Sequence, residues 1–267
     1  SKWGMDHPLT AGKILGEFPI AGDNTLVPLS IVEEAQLRAY FPKSTDRKII
    51  GVDVARFGID STVLTGLHGN KQTALKEFHK HDTIQVVGEI ISMSREMQNA
   101  DVIVVDETGL GGGVVDLLKD EVGKSLPENC EIRGVQFGGG VECDGPDACK
   151  HLDCQKAKYY NMKAKMFGLL QDDMKAVEGL ALLNEAVYLE ELPTIMFKYN
   201  TKGQMVIESK DDYKKRTGRA SPDRSDSLAL ANFGKYDDLN YGQFPTAKLD
   251  IKKSSTHAGS RRAGRQW

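Results

Sequence analysis

An aspartate that closes an apolar strand contributes nothing to packing, and this sequence holds two. Asp53 ends Lys48-Ile49-Ile50-Gly51-Val52-Asp53, and Asp106 ends Val102-Ile103-Val104-Val105-Asp106. A third, Asp226, lies in Ser221-Pro222-Asp223-Arg224-Ser225-Asp226-Ser227-Leu228-Ala229. Asp223 stands three residues before Asp226 and shares its face of a helix. A carboxylate in an apolar setting is unfavourable unless positive charge sits beside it. Four gathered together would repel, and Mg2+ or Mn2+ with oxygen ligands relieves that. Two such ions about 3.5 to 4 Å apart recur in phosphodiester hydrolysis. For Asp53 alone, a strand end or a turn bond is the plainer reading. The set of four, in this order, points to metal.

Positioning these groups requires a sheet. Residues 48–54, 61–67 and 72–78 are apolar-rich runs joined by short turns, as in an antiparallel meander. Asp82-Thr83 opens a helix to about Gln98 with Ile84, Val87, Ile91 and Met97 along one face. A strand over 102–106, a glycine turn from Gly109 to Gly113, a helix from Val114 to about Val122 and a strand over 131–137 form a β–α–β passage. Such a passage implies parallel strands beside the meander, hence a mixed sheet with helices on its faces. In that sheet Asp53 and Asp106 reach one edge. Glu107 directly follows Asp106 and points the other way.

Beyond this come a polar loop from Gly138 to Asp153, a helix over Gln155 to Val177, two short strands over 194–199 and 204–209, and a helix opened by Ser221-Pro222. Residues 1–46 read as a lead-in with one short helix opened by Ser30-Ile31-Val32-Glu33 and ending near Phe41-Pro42. The domain unit is 47–235, and 236–267 is a flexible basic tail.

The 267 residues are 40% hydrophobic and 27% charged, which suits a folded core. No run is apolar enough to span a membrane, no secretory leader opens the chain, and it starts on Ser1 without Met, as an excised domain would. A net charge of -3 gives no global pull toward DNA, so contact with nucleic acid must rest on local basic patches. Lys210, Lys214, Lys215, Arg216, Arg219 and Arg224 place six cations within fifteen residues, just before Asp226. They are candidates for gripping phosphates, against the plainer reading of a solvated face.

Cys130, Cys143, Cys149 and Cys154 are too few for a disulfide scaffold and read as thiols. Cys143, Cys149, His151 and Cys154 lack the paired spacing of a zinc knuckle. His79 and His81 read as surface or loop residues. The Gly109 to Gly113 turn lacks the full dinucleotide and phosphate-loop spacings, so it reads as a tight strand-to-helix turn.

Gly51-Val52-Asp53, Val104-Val105-Asp106-Glu107-Thr108-Gly109-Leu110-Gly111 and Ser221 to Ala229, in this order, resemble the nuclease domain of tailed-phage terminase large subunits. Gly12 to Pro19 and Ile207 to Arg216 match its style too. The resemblance implies an RNase H-like α/β fold, with a central mixed sheet of five or more strands, helices on both faces and an added β-hairpin. It implies an endonuclease that cuts concatemeric double-stranded DNA during packaging, with two Mg2+ or Mn2+ ions, water as nucleophile, and 3′-hydroxyl and 5′-phosphate products. Asp53, Asp106 and Asp226 would be principal ligands, and Asp223 an auxiliary ligand or water-positioning group. Implied partners are DNA, a portal protein reached through the tail, and the terminase small subunit, in the host cytoplasm, with nonspecific DNA holding as the tail's alternative role. The family's ATPase loop, G-x-x-x-x-G-K-[ST], does not occur in this sequence, so no ATP-driven translocation is expected of it alone. A docking module with a vestigial acidic cluster and a branched-DNA resolvase of the same fold are the competing readings.

Overall fold

A computed structural model describes residues 24–55, 61–142 and 154–236. The Gly12 to Pro19 stretch, the Arg56 to Gly58 turn, Cys143, Cys149, His151 and the basic tail lie outside those residues. Helix α1 (Leu29–Leu37) is followed by strands β1 (Lys48–Asp53), β2 (Thr62–His68) and β3 (Lys71–Phe78). Next come α2 (Thr83–Glu96), β4 (Val102–Asp106), α3 (Gly111–Glu121) and β5 (Glu131–Val135). Then come α4 (Gln155–Lys158), α5 (Met162–Lys175) and α6 (Ala186–Glu191), a 3-10 turn, and the hairpin β6 (Phe197–Tyr199) and β7 (Met205–Ile207). Helices α7 (Lys210–Thr217) and α8 (Asp223–Phe233) close the described chain.

The sheet order is β3-β2-β1-β4-β5. β1 pairs antiparallel with β2 and parallel with β4, and β4 pairs parallel with β5. Strand alternation sorts the side chains into two cores. Ile50, Val52, Ile103 and Val105 face α2 and α3 on one side. Ile49, Val102 and Val104 face α5 and α8 on the other. Asp53 and Asp106 have the parity of this second set, so both carboxylates stand on the α8 face at the carboxyl ends of adjacent parallel strands. Leu26, Val27, Val32 and Ala35 are buried in the same core, and Arg38 donates to the carbonyls of Leu180 and Met174. Among the described residues no helix is long and apolar enough to cross a membrane.

Gly51 sets the height of α8. A Cβ there would run into the backbone nitrogen of Ala231 and the carbonyl of Ser227. The helix lies directly on β1 and runs back along it, with Gly234 over Ile49 and its first turn beyond Gly51, toward Asp53. Gly111 does the same for α3, since a Cβ there would meet the Asp106 carbonyl.

Three local expectations are corrected. α2 buries Val86, Val87, Ile90 and Met93, leaving Ile84 75% exposed, so its inward stripe is rotated from the one the spacing suggested. The helix expected over Gln155 to Val177 ends at Lys158 and resumes after Asn161, whose side chain accepts from the Ala164 N–H and caps the new helix. Ser221 is not the cap of α8: Pro222 occupies that position with no side-chain bond, and the helix begins at Asp223.

Candidate metal centre

Helix α8 carries Asp223 and Asp226 in its first turn, where the positive end of the helix dipole favours carboxylates. One oxygen from each of Asp53, Asp223 and Asp226 lies within 4.8 Å of the other two, and all three residues are buried. No other such group exists among the described residues.

Lys210, the first residue of α7, stands in the middle of this trio. Its Nζ is 3.0 Å from Asp53 Oδ2, 3.0 Å from Asp223 Oδ1 and 3.1 Å from Asp226 Oδ2. A second ammonium, from Lys163 on α5, is 3.2 Å from the other Asp226 oxygen, Oδ1. Asp226 is fully buried, and neither of its oxygens receives an aligned hydrogen bond. The two lysines meet it as charges.

Burial pushes the Asp53 carboxyl well above the usual carboxylate range; Lys210 opposes this, while Asp226, Asp223 and Asp106 push it further up. Burial acts on Asp226 too, but Lys163 and Lys210 outweigh it and hold that carboxyl below its ordinary value. Burial would strip Lys210 of its proton, yet Asp226, Asp53 and Asp223 keep the ammonium far above the usual lysine range. The cluster is thus an acidic socket whose charge is balanced by an internal cation. An all-oxygen donor set, with a buried carboxylate lacking aligned donors, fits a hard divalent ion.

Asp106 lines the same edge and stands outside the trio. Its Oδ1 accepts from Thr108 N at 3.1 Å and Thr108 Oγ1 at 2.7 Å. Burial raises its carboxyl, and the Thr108 bonds and Lys210 oppose that. Glu107 does point away, its carboxylate lying against Gly134 of β5.

The expected phosphate-gripping cations disperse. Lys210 is inside the socket rather than on a solvated face. Arg216 pairs with Glu208, and Arg219 donates to the Glu190 carbonyl. Arg224 bridges Glu77 on β3 and Glu191 on α6 at 2.6 and 3.0 Å. Lys215 is exposed on α7 and Lys214 half-buried. His79 meets Ser61, and His81 the carbonyl of His79. Cys130 and Cys154 are both buried.

Lys163 and Glu191 escaped the reading of the sequence. Lys163 lies four residues before Phe167 on an otherwise apolar helix face, and that misplaced charge was the available signal. Glu191 accepts from Ser225 N at 3.0 Å and Ser225 Oγ at 3.1 Å, anchoring the first turn of α8 from a helix too short to show periodicity.

No protein-family model matches the chain. It is 25% identical over 244 residues to the "Probable terminase, large subunit" of Enterobacteria phage P7, covering 87% of this chain and 46% of that protein. The chain thus spans about half the length of the curated relative it matches. In three dimensions it is similar to the nuclease domain of the large terminase subunit gp2 of bacterial virus Sf6, with a TM-score of 0.65 at 16% identity, covering 78% of this chain and 98% of that one. A mutant of that domain, solved with manganese and beta-thujaplicinol, superposes with the same TM-score. In sequence the chain is similar to a phage terminase large subunit, and its mixed five-stranded sheet has the RNase H-like fold of a large terminase nuclease domain.

Proposed function

We propose that this chain is the metal-dependent endonuclease of a viral DNA-packaging terminase, hydrolysing concatemeric double-stranded DNA in the host cytoplasm. The observation that carries the reading is the buried convergence of Asp53, Asp223 and Asp226 around a single ammonium on the carboxyl edge of the sheet. Similarity to the phage P7 protein and to a nuclease domain solved with manganese supports it.

In this reading Asp53, Asp223 and Asp226 hold Mg2+ or Mn2+, with Asp106 as the fourth carboxylate of the edge. When bound, a pair of such ions activates water and neutralises charge on the phosphate. The protein supplies a rigid ligand set. Gly51 seats α8 against β1, and Glu191 fixes the turn between Asp223 and Asp226. Lys210 shares all three ligand oxygens, so its ammonium and a divalent ion compete for one position. Lys214 and Lys215, on the helix that carries Lys210, are the residues we assign to the DNA backbone, which they would hold without reading sequence. Residues 47–235 carry the nuclease unit, 1–46 leads into it and packs α1 against its core, and the 236–267 tail reaches the portal protein. The terminase small subunit is the further partner of this assembly.

The purified chain should nick and linearise plasmid DNA in Mn2+ or Mg2+ and be silent in EDTA, leaving 3′-hydroxyl and 5′-phosphate ends. No cutting with either ion would turn the reading to a docking module. Strong preference for four-way junctions would turn it to a resolvase.

A further inference from the structure

We infer that Lys163 sets which divalent ion the carboxylate socket prefers, by confining Asp226 to a single ligand oxygen. The inference rests on the metal-site reading above and adds a specificity-determining residue to it.

The two lysines at Asp226 are not equivalent. Lys210 reaches Oδ2 with the same ammonium that meets Asp53 and Asp223, from an exposed and highly charged helix, its own side chain 34% exposed. Lys163 reaches the other oxygen, Oδ1, at 3.2 Å, with its side chain 13% exposed. Its ammonium lies over two aromatic faces, 5.5 Å from the centroid of Phe137 and 5.4 Å from that of Phe167. The backbone beneath it is tied down: Lys163 N donates to the Phe137 carbonyl and Met162 N to the Gly139 carbonyl, both at 2.9 Å. Lys163 contacts no other carboxylate of the trio among the described ion pairs. It therefore does not compete for the ligand position. It caps the other oxygen of one ligand.

A carboxylate capped on one oxygen can bind an ion through the other oxygen alone. Mg2+ demands six ligands in near-octahedral geometry at short distance and readily takes single oxygens; Ca2+ takes six to eight and often uses both oxygens of a carboxylate. Mn2+ shares the oxygen-ligand, octahedral preference of Mg2+. Asp226 is fully buried and cannot recruit a compensating water from solvent at Oδ1. Removing the cap frees that oxygen and opens the socket to the larger ion.

The charge of Lys163 also opposes any divalent ion, but equally for ions of the same charge, so it cancels in a ratio of affinities. The test is calorimetric titration of the metal-free 267-residue chain with Mn2+ and with Ca2+, in wild type, Lys163→Met and Lys163→Arg. Methionine has nearly the same length and packs well against aromatic rings. In Lys163→Met the ratio of Ca2+ to Mn2+ affinity should move toward Ca2+ on the order of tenfold, the scale of losing a partner that orients a ligand. Lys163→Arg should stay near wild type. Parallel changes in both affinities, or an unchanged ratio in Lys163→Met, would overturn the inference. If the methionine variant does not melt cooperatively, Lys163→Leu is read in its place by the same criterion. Wild type that binds neither ion would instead overturn the metal site itself.

Discussion

At the scale of single residues, the socket separates two aspartates that look alike in sequence. Asp53 is held above and Asp226 below the ordinary carboxylate range, so ionised Asp53 opposes folding while ionised Asp226 supports it. Both Asp53→Asn and Asp226→Asn should abolish cleavage. In metal-free buffer near neutral pH, Asp53→Asn should melt at the same temperature as wild type or higher, because repulsion with Asp226, Asp223 and Asp106 is relieved. Asp226→Asn should melt lower, because Lys163 and Lys210 lose the charge they share. Differential scanning calorimetry of the two variants checks this; equal shifts in one direction would contradict the split. Glu191 gives a pH counterpart. Burial is the main cause pushing its carboxyl up, from 4.5 to about 7, against the Ser225 and Arg224 bonds that lower it. A raised acid binds its proton more tightly in the folded state, so its contribution is complete below 4.5 and is lost as pH climbs to about 7. A shift of that size is worth on the order of 3 kcal/mol. Glu191→Gln should flatten the fall in stability across that window, measured as urea midpoints at a series of pH values.

At the scale of elements, the separation of α8 from β1 decides whether the carboxylates meet. Gly51→Ala places a methyl where the Ala231 nitrogen and Ser227 carbonyl already lie, so the helix must lift or the strand bend. Overpacking against backbone, which cannot swing aside, should destabilise by about 3 kcal/mol or more and lower metal affinity with it. A urea titration should show a lower midpoint at unchanged slope; a midpoint within error of wild type would mean that α8 is not seated by this contact. Gly51 was legible as part of a glycine-aspartate strand, yet its partner 180 residues later in the chain was not. The same divide runs through the molecule. Asp82 with Gln85 forms the capping box that opens α2, a local device open to reading from sequence. Strands 48–53 and 102–106 showed themselves as apolar runs closed by aspartate. Helix α7 did not, because only Tyr213 of its eight residues is buried and no apolar stripe marks it, although Ser209 caps its start and Gly218, at φ 68, closes it. Because α7 was not foreseen, Lys210 read as one more surface cation, when the helix delivers it into the socket.

At the scale of the whole molecule, the proposed grip on DNA by a chain of net charge -3 requires local positive charge. The six cations at 210–224 are not one patch. Arg224 ties α8 to β3 and α6, Arg216 is held by Glu208, and Lys210 is enclosed by aspartates. Substituting them should therefore split by outcome. Lys214→Gln with Lys215→Gln should reduce the slope of log affinity against log salt by about 1.8, or 0.9 for each phosphate contact released. Arg224→Gln should lower the melting temperature, because buried Glu191 is left without its charge partner, a loss worth about 3 kcal/mol or more. Its effect on DNA should follow the loss of α8 position rather than the loss of a phosphate contact, so affinity falls with little change in salt slope. Fluorescence anisotropy of a labelled duplex from low to moderate salt, read beside melting curves for the same proteins, separates the two. If the double lysine variant kept the wild-type slope while Arg224→Gln lowered it, the DNA path would run over the β3 edge, and α7 would serve only to deliver Lys210.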